Sequence, residues 1–83
     1  MIKRDEAFKR CISAEARITD FLFKNSDNVF TIEEIIVMTA EMDGAPPMSP
    51  SSARIALDRL QWAGTIERFY VGGRSHFGYH EKN

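Results

Sequence analysis

The sequence predicts an α+β domain in which a three-helix core precedes a C-terminal two-stranded β-hairpin. Three observations lead to this prediction. Apolar residues recur at helical spacing over residues 4–24, a serine and a proline open a later amphipathic segment at residue 49, and two β-rich runs flank Gly72-Gly73. The chain has 83 residues, a length typical of one small domain. We therefore expect residues 1–83 to form a single domain, with residues 1–12 as an N-terminal helical extension.

The first helix is predicted over residues 4–24, with a break near Ser13 as an alternative. One helical face carries apolar residues at alternating spacings of four and three, namely Ala7, Cys11, Ala14, Ile18 and Phe21. We expect residues 18–23 to pack in the core. The segment from Ile2 to Ile12 leaves an apolar side without a partner, and a homodimer through this N-terminal helix is one way to cover it.

The second helix begins with a complete start signal. Thr31 can cap the helix, and Glu34 three residues later completes a capping box. Phe30 and Ile35 are placed to form a hydrophobic staple across this helix start. The helix is predicted to end near Met42, and its predicted buried side consists of Ile32, Ile35, Ile36, Met38, Thr39 and Met42.

A third helix is predicted over residues 49–63. Two prolines in the connection over residues 43–48 favour extended backbone and exclude helix there. Ser49 is a suitable cap, Pro50 suits the first helical position, and Gly64 provides a left-handed stop. The predicted inward face consists of Ala53, Ala56, Leu57 and Leu60.

A β-hairpin is predicted over residues 65–80. Gly72-Gly73 between two β-rich runs indicates a two-residue turn. The register that follows pairs Val71 with Arg74, Phe69 with His76, and Ile66 with Tyr79. Alternation along the strands then directs Ile66, Phe77 and Tyr79 to the core. A short third strand is expected near Val29-Phe30, paired with the hairpin.

The pattern S-x-A-R-x-A-L-x-x-L-x-x-A-G-x-I-E-R, which starts at Ser51, resembles winged helix-turn-helix transcription regulators. The segment from Val71 to Phe77 resembles the wing of the ferric uptake regulator family, and Thr31-Ile-Glu-Glu resembles the start of that family's second helix. That family carries a tyrosine-arginine pair where this chain has Arg54-Ile55. These 83 residues also include no counterpart of its C-terminal metal and dimer domain, so the resemblance does not imply a metal sensor. In size the chain is closer to the small regulators of pilus operons.

The charge distribution favours nucleic-acid contact through the second half of the chain. Residues 1–48 hold six Lys/Arg and nine Asp/Glu, a net charge of −3, whereas residues 49–83 hold five and three, a net charge of +2. The overall net charge of −1 argues against a strong nonspecific polyanion binder. A single cysteine excludes an internal disulfide, and the lack of a signal peptide or membrane-length apolar run predicts a cytoplasmic protein.

The resemblance implies that double-stranded DNA is read by helix 49–63 and contacted by the wing, residues 65–80. The candidate DNA-binding residues are Ser51, Ser52, Arg54, Ile55, Arg59, Arg68, Arg74, Ser75 and His76. Hydroxyl groups at a helix start suit phosphate, and arginine suits phosphate or guanine. Asp58 would repel phosphate unless it pairs with Arg54, four residues before it, and Arg68 can form a surface ion pair with Glu67. The alternative interpretation is that these charged residues form an ordinary solvated surface.

A second functional class remains open, namely a winged helix that binds protein and never touches DNA. Its candidate anchors are Trp62, Phe69 and Val71, although Trp62 could instead cover the hairpin or the second helix. His76 and His80 would lie roughly 13 Å apart on a strand, too far to share a metal ion. No nucleophile and base occur in a catalytic motif, so we expect neither an enzyme nor a cofactor.

Overall fold

The computed structural model describes residues 3–80, except for the side chains of residues 7–12. It contains α1 (Arg4–Lys24), α2 (Ile32–Asp43), α3 (Pro50–Trp62), β1 (Ile66–Val71) and β2 (Arg74–Tyr79). This order confirms the predicted α+β class and the three helices followed by a hairpin. The alternative of a break near Ser13 is wrong, because α1 continues through that residue. The expected contact through residues 2–12 lies largely outside the described residues.

The predicted face of α1 forms one wall of the core. Ala14, Ile18 and Phe21 are buried, while Ala7 and Cys11 have side chains outside the described residues. The prediction that residues 18–23 pack in the core was wrong at the last position, because Phe23 is 60% exposed. It lies about 100° around the helix from the buried Leu22. Its ring instead packs edge-on against Tyr79, with ring centroids 5.2 Å apart.

The capping box at the start of α2 is present. The Thr31 hydroxyl accepts a hydrogen bond from the Glu34 backbone N–H at 3.3 Å, and the Glu34 carboxylate accepts one from the Thr31 backbone N–H at 2.9 Å. Phe30 and Ile35 are both buried in the core, as expected of a staple.

The predicted buried side of α2 is correct along the line of Ile35 and Thr39, but the prediction included neighbouring residues that are exposed. Ile35 and Thr39 are buried, and Ile32 packs against the core. Met38 and Met42 are exposed, which makes their predicted burial wrong. Each follows a core-facing residue by three positions, and that step turns it about 60° toward solvent.

The connection between α2 and α3 is held against α1. Arg17 donates from Nε to the Asp43 carboxylate at 2.8 Å and from Nη2 to the Pro46 carbonyl at 3.4 Å. Ser49 then caps α3 by accepting a hydrogen bond from the Ser52 N–H at 3.1 Å. These contacts fix the orientation in which α3 starts.

The inward face of α3 is the predicted one, because Ala53, Ala56, Leu57 and Leu60 are all buried. Gly64 ends the helix with a φ of 79°. The N–H of Thr65 returns to the carbonyl of Leu60 at 2.9 Å, which closes a Schellman motif.

The hairpin has the predicted register, with Val71 opposite Arg74 and Ile66 opposite Tyr79. Gly72 and Gly73 both have positive φ, as a two-residue type I′ turn requires. The expected third strand is present as a single bridge between Phe30 and Phe77, with N···O distances of 2.9 and 2.7 Å. This bridge fixes the position of the hairpin relative to the start of α2.

Candidate nucleic-acid interface

The outward face of α3 carries polar, charged and apolar side chains along one line. At about 100° per residue, Ser51, Ile55, Asp58 and Trp62 fall within about 60° of one another, opposite the buried face. All four are exposed. This line is available to a groove of DNA or to a protein surface.

Arg54 lies beside this line, on the flank that faces the hairpin. It is exposed, and it takes part in no ion pair within residues 3–80. The pair with Arg54 that would keep Asp58 from repelling phosphate is therefore not formed. Asp58 instead faces Arg68 of β1, with 3.6 Å between Arg68 Nη2 and Asp58 Oδ1.

Arg68 is turned toward α3 rather than toward its chain neighbour. Its guanidinium carbon lies 5.2 Å from the centroid of the Phe77 ring. The expected pair with Glu67 is wrong because adjacent residues of a strand point to opposite faces of the sheet. The Glu67 carboxylate lies 2.5 Å from Nδ1 of His80.

Arg59 lies on the other flank of α3, where its guanidinium forms an ion pair with Glu15 of α1. Ser52 is partly buried on the same flank, and its hydroxyl lies 2.9 Å from that of Ser49. The two predicted contacts on this flank thus already have partners within the protein.

The hairpin tip extends beyond the core at the start of α2. Arg74 is exposed, and its Nη2 lies 3.6 Å from a carboxylate oxygen of Glu33. Such a solvated pair contributes little to stability. His76 is partly exposed, and its Nδ1 lies 3.0 Å from the Arg74 carbonyl oxygen.

These elements enclose an open groove of about 470 Å³ between α2, α3 and the hairpin. The groove brings together three of the predicted arginines with one predicted serine, and it adds two carboxylates, Glu33 and Asp58, of which the sequence placed only Asp58 beside a predicted arginine. Its lining residues are Thr31, Ile32, Glu33, Arg54, Leu57, Asp58, Arg68, Arg74, Ser75 and Phe77. Three cationic and two anionic side chains leave this groove with one positive charge. An anionic ligand that displaced either carboxylate would release a further cation.

One acidic group beside this groove titrates below its usual range. Hydrogen bonds from Thr31, first from its backbone N–H and then from its side chain, lower the pKa of Glu34 below 4.5. His76 and Arg74 add smaller electrostatic contributions in the same direction. The capping box thus stabilises the ionised form of the Glu34 carboxyl.

The candidate protein-binding residues divide between two surfaces. Trp62 is 92% exposed at the end of α3, so the expectation that it covers the hairpin or α2 is wrong. Phe69 and Val71 are also exposed. They lie on the face of the hairpin directed away from α3, because the intervening positions, including Arg68, point toward it.

Among the side chains that the structure describes, no group of three or more His, Cys, Asp or Glu is placed to hold a metal ion. His76 and His80 have separate neighbours, the Arg74 carbonyl and the Glu67 carboxylate. The described helices include none long and apolar enough to cross a membrane.

Comparison with known proteins identifies the fold. No protein-family model matches this chain, and no curated protein matches it. Among solved structures, the chain is similar to the ferric uptake regulator from Francisella tularensis, determined with iron, with a TM-score of 0.69. The match covers 84% of this chain but only 52% of that protein, at 14% sequence identity. This chain thus spans about half the length of that regulator, and the likeness shows that it has a winged-helix fold.

Proposed function

We propose that this chain binds double-stranded DNA through the outward face of α3 and the hairpin, and acts as a small transcription regulator. The observation that carries this proposal is the convergence of Arg54, Arg68 and Arg74 on one groove beside an exposed α3. The winged-helix fold supports it, because that fold commonly places its last helix in the major groove.

The groove side of α3 has the best-placed contacts. Arg54 has no ion pair to break before it meets a phosphate or a guanine edge. Ser51 is exposed in the first turn, where free backbone N–H groups also favour a phosphate. Ile55 is exposed one residue beyond Arg54, where it can contact a thymine methyl group.

The hairpin would contact the DNA backbone beside α3. Arg74 must exchange its solvated pair with Glu33 for a phosphate, and Ser75 and His76 follow it on the same strand. Arg68 and Arg59 would contribute less, because Asp58 and Glu15 already neutralise them. Affinity per monomer should be modest, since few cations are available to displace counterions. A dimer would supply the specificity of two half-sites.

A mobility-shift assay with mixed-sequence duplex DNA at low and moderate salt tests this proposal. The wild-type protein should shift the duplex at low salt and release it as salt rises. Arg74→Ala should weaken the shift, whereas Lys24→Ala should leave it nearly unchanged. Lys24→Ala is a matched control, because it removes one positive charge, as Arg74→Ala does, but at a position outside the groove. Folded wild-type protein that shifts no duplex at low salt would contradict the proposal.

The second candidate function is that of a protein-interaction module. The exposure of Trp62 and the two carboxylates in the groove favour it. An exposed tryptophan that becomes buried on binding is a frequent anchor of protein interfaces. Acidic groups, in turn, repel DNA phosphates. If this function is correct, Trp62→Ala or Phe69→Ala abolishes partner binding, while arginine substitutions in the groove have little effect.

A further inference from the structure

The outer edge of β1 has backbone groups that are free to pair with another strand. In an antiparallel pair, every second residue bonds to the neighbouring strand and the others point away from it. The N–H of His80 donates to the carbonyl of Thr65 at 3.0 Å, so the residues bonded to β2 are Glu67, Phe69 and Val71. The N–H and C=O groups of Ile66, Arg68 and Tyr70 therefore point outward.

The other edge of the hairpin supports this assignment. Phe77, which lies opposite Arg68, has its N–H and C=O directed away from β1, and both bond to Phe30. The outer edge of β2 is thus covered at its centre. Within residues 3–80, no strand covers the corresponding edge of β1.

β1 carries two charged residues, Glu67 and Arg68, but lacks the other usual features that keep an edge strand from pairing. The segment Ile66–Val71 contains no proline and no lysine, and its register with β2 has no bulge. The last three residues of the strand are apolar or aromatic: Tyr70 is 73% exposed, and Phe69 and Val71 are also exposed. An edge of this kind favours pairing with a strand from another chain.

We propose that this edge pairs antiparallel with β1 of a second copy of this chain, forming a two-fold symmetric dimer. Self-pairing is favoured because one register complements itself. When Phe69 lies opposite Phe69 of the second copy, Arg68 lies opposite Tyr70 of that copy, and the two outward-pointing backbone sets meet. That register forms an aromatic pair and two contacts between arginine and tyrosine, all of which are favourable.

The neighbouring registers are worse. A shift that centres the pair on Arg68 places two arginines directly opposite each other, and like charges in that position are destabilising. A shift that centres it on Tyr70 places Arg68 opposite Gly72, which lies in the turn with positive φ, so that only Tyr70 keeps an outward-pointing partner within the strands. The Phe69 register loses only the Ile66 position in this way and keeps both Arg68–Tyr70 pairs. The inference does not rest on the proposed DNA binding, although Arg68 belongs to both surfaces, and it uses a different surface from the N-terminal helix.

Charge substitutions at Tyr70, measured by sedimentation equilibrium of the full chain, test the proposal. Tyr70→Arg places an arginine opposite each Arg68, whereas Tyr70→Glu places a carboxylate there. We expect wild-type protein to dimerise and the dissociation constants of the two variants to differ about tenfold, with the Glu variant tighter. Both substitutions change an exposed side chain, and thermal melting checks that the variants remain folded. A wild-type protein that stays monomeric would overturn the proposal and leave the edge to another partner or to none.

Two further outcomes of that experiment would also overturn it. Equal weakening by both variants would indicate a nonspecific apolar contact through Tyr70. Unchanged dimerisation in both would place the interface elsewhere, for example on the N-terminal helix.

Disulfide trapping tests the register itself. With Cys11 replaced by alanine, Phe69→Cys should form a covalent dimer when its two thiols are oxidised by oxidised glutathione, which becomes reduced. The Cβ atoms of such directly opposed residues approach to about 4.5–5.5 Å, close to the span of a disulfide. Val71→Cys in the same background is the control, because its opposite residue is Glu67 of the second copy. Equal trapping of both variants, or of neither, would overturn the proposed register.

Discussion

The two faces of α3 differ in what they carry and in what surrounds them. The inward face holds two alanines and two leucines, all buried against the other helices and the hairpin. The outward face mixes a serine, an isoleucine, an aspartate and a tryptophan, all exposed. Core packing alone explains why the inward face is entirely apolar, because the burial of apolar area is the main contribution to the stability of a core. Apart from the solvated pair of Asp58 with Arg68, the exposed side chains of the outward face have no stabilising role among the described residues, so this is the face to examine for binding.

The largest expected effect comes from breaking the inward face. Leu57→Ala should lower the free energy of unfolding by about 2–5 kcal/mol, a large part of a small domain's total. Ile55→Ala, two positions away on the outward face, should change it by less than about 0.5 kcal/mol. Urea denaturation of both variants measures the contrast. Equal losses would show that the two faces have been assigned wrongly.

Within the outward half of α3, Arg54 and Arg59 provide a second contrast. Arg54→Ala should weaken binding to duplex DNA about tenfold, since one good arginine contact contributes about 1–3 kcal/mol. Arg59→Ala should have a smaller effect, because Glu15 already holds that guanidinium. Fluorescence anisotropy of a labelled duplex compares the two variants at one salt concentration. A larger loss for Arg59→Ala would instead place DNA on the α1 flank.

The contribution of the α2 cap to stability, unlike that of either face of α3, is expected to depend on pH. The folded-state pKa of Glu34 is lowered, so its contribution to stability is present above 4.5 and is lost as pH falls through the folded-state pKa. Wild-type protein should therefore lose stability relative to Glu34→Gln as the solution is acidified below that value. The measurement is the melting temperature of both proteins from neutral to acidic pH. A constant difference over that range would mean that Glu34 titrates normally.

The smallest effect on stability is expected at the most exposed position. Trp62→Ala should change the free energy of unfolding by less than about 0.5 kcal/mol, because the side chain is 92% exposed. Thermal denaturation measures it. A marked loss of stability would show that Trp62 packs against another part of the protein.

The sequence predicted local and periodic features well. The capping box at Thr31, the stop at Gly64 and the register from Val71 and Arg74 depend on residues close together in the chain, and all three are confirmed. Helical periodicity also identified the buried faces of α1 and α3, which contain Ile18 and Leu57 respectively. It failed at the edges of the helical faces, where Phe23 and Met42 lie, because the width of a face depends on what packs against it.

The ion pairs of the candidate site were beyond sequence reasoning. Arg59 meets Glu15, and Arg68 meets Asp58, across elements whose relative placement only the folded structure shows. The alternation of side chains along a strand could have excluded the expected pair between Arg68 and Glu67. No comparable local signal could have shown which arginine on α3 is unpaired.

The salt dependence of DNA affinity tests the central claim most directly. The logarithm of the association constant should fall linearly with the logarithm of salt concentration, with a slope of about −0.9 for each phosphate neutralised. The double variant Arg54→Ala and Arg74→Ala should therefore have a slope about 1.8 units shallower than the wild type while remaining folded. An unchanged slope, or no duplex binding by the folded wild-type protein at low salt, would contradict the claim that the groove between α3 and the hairpin binds DNA.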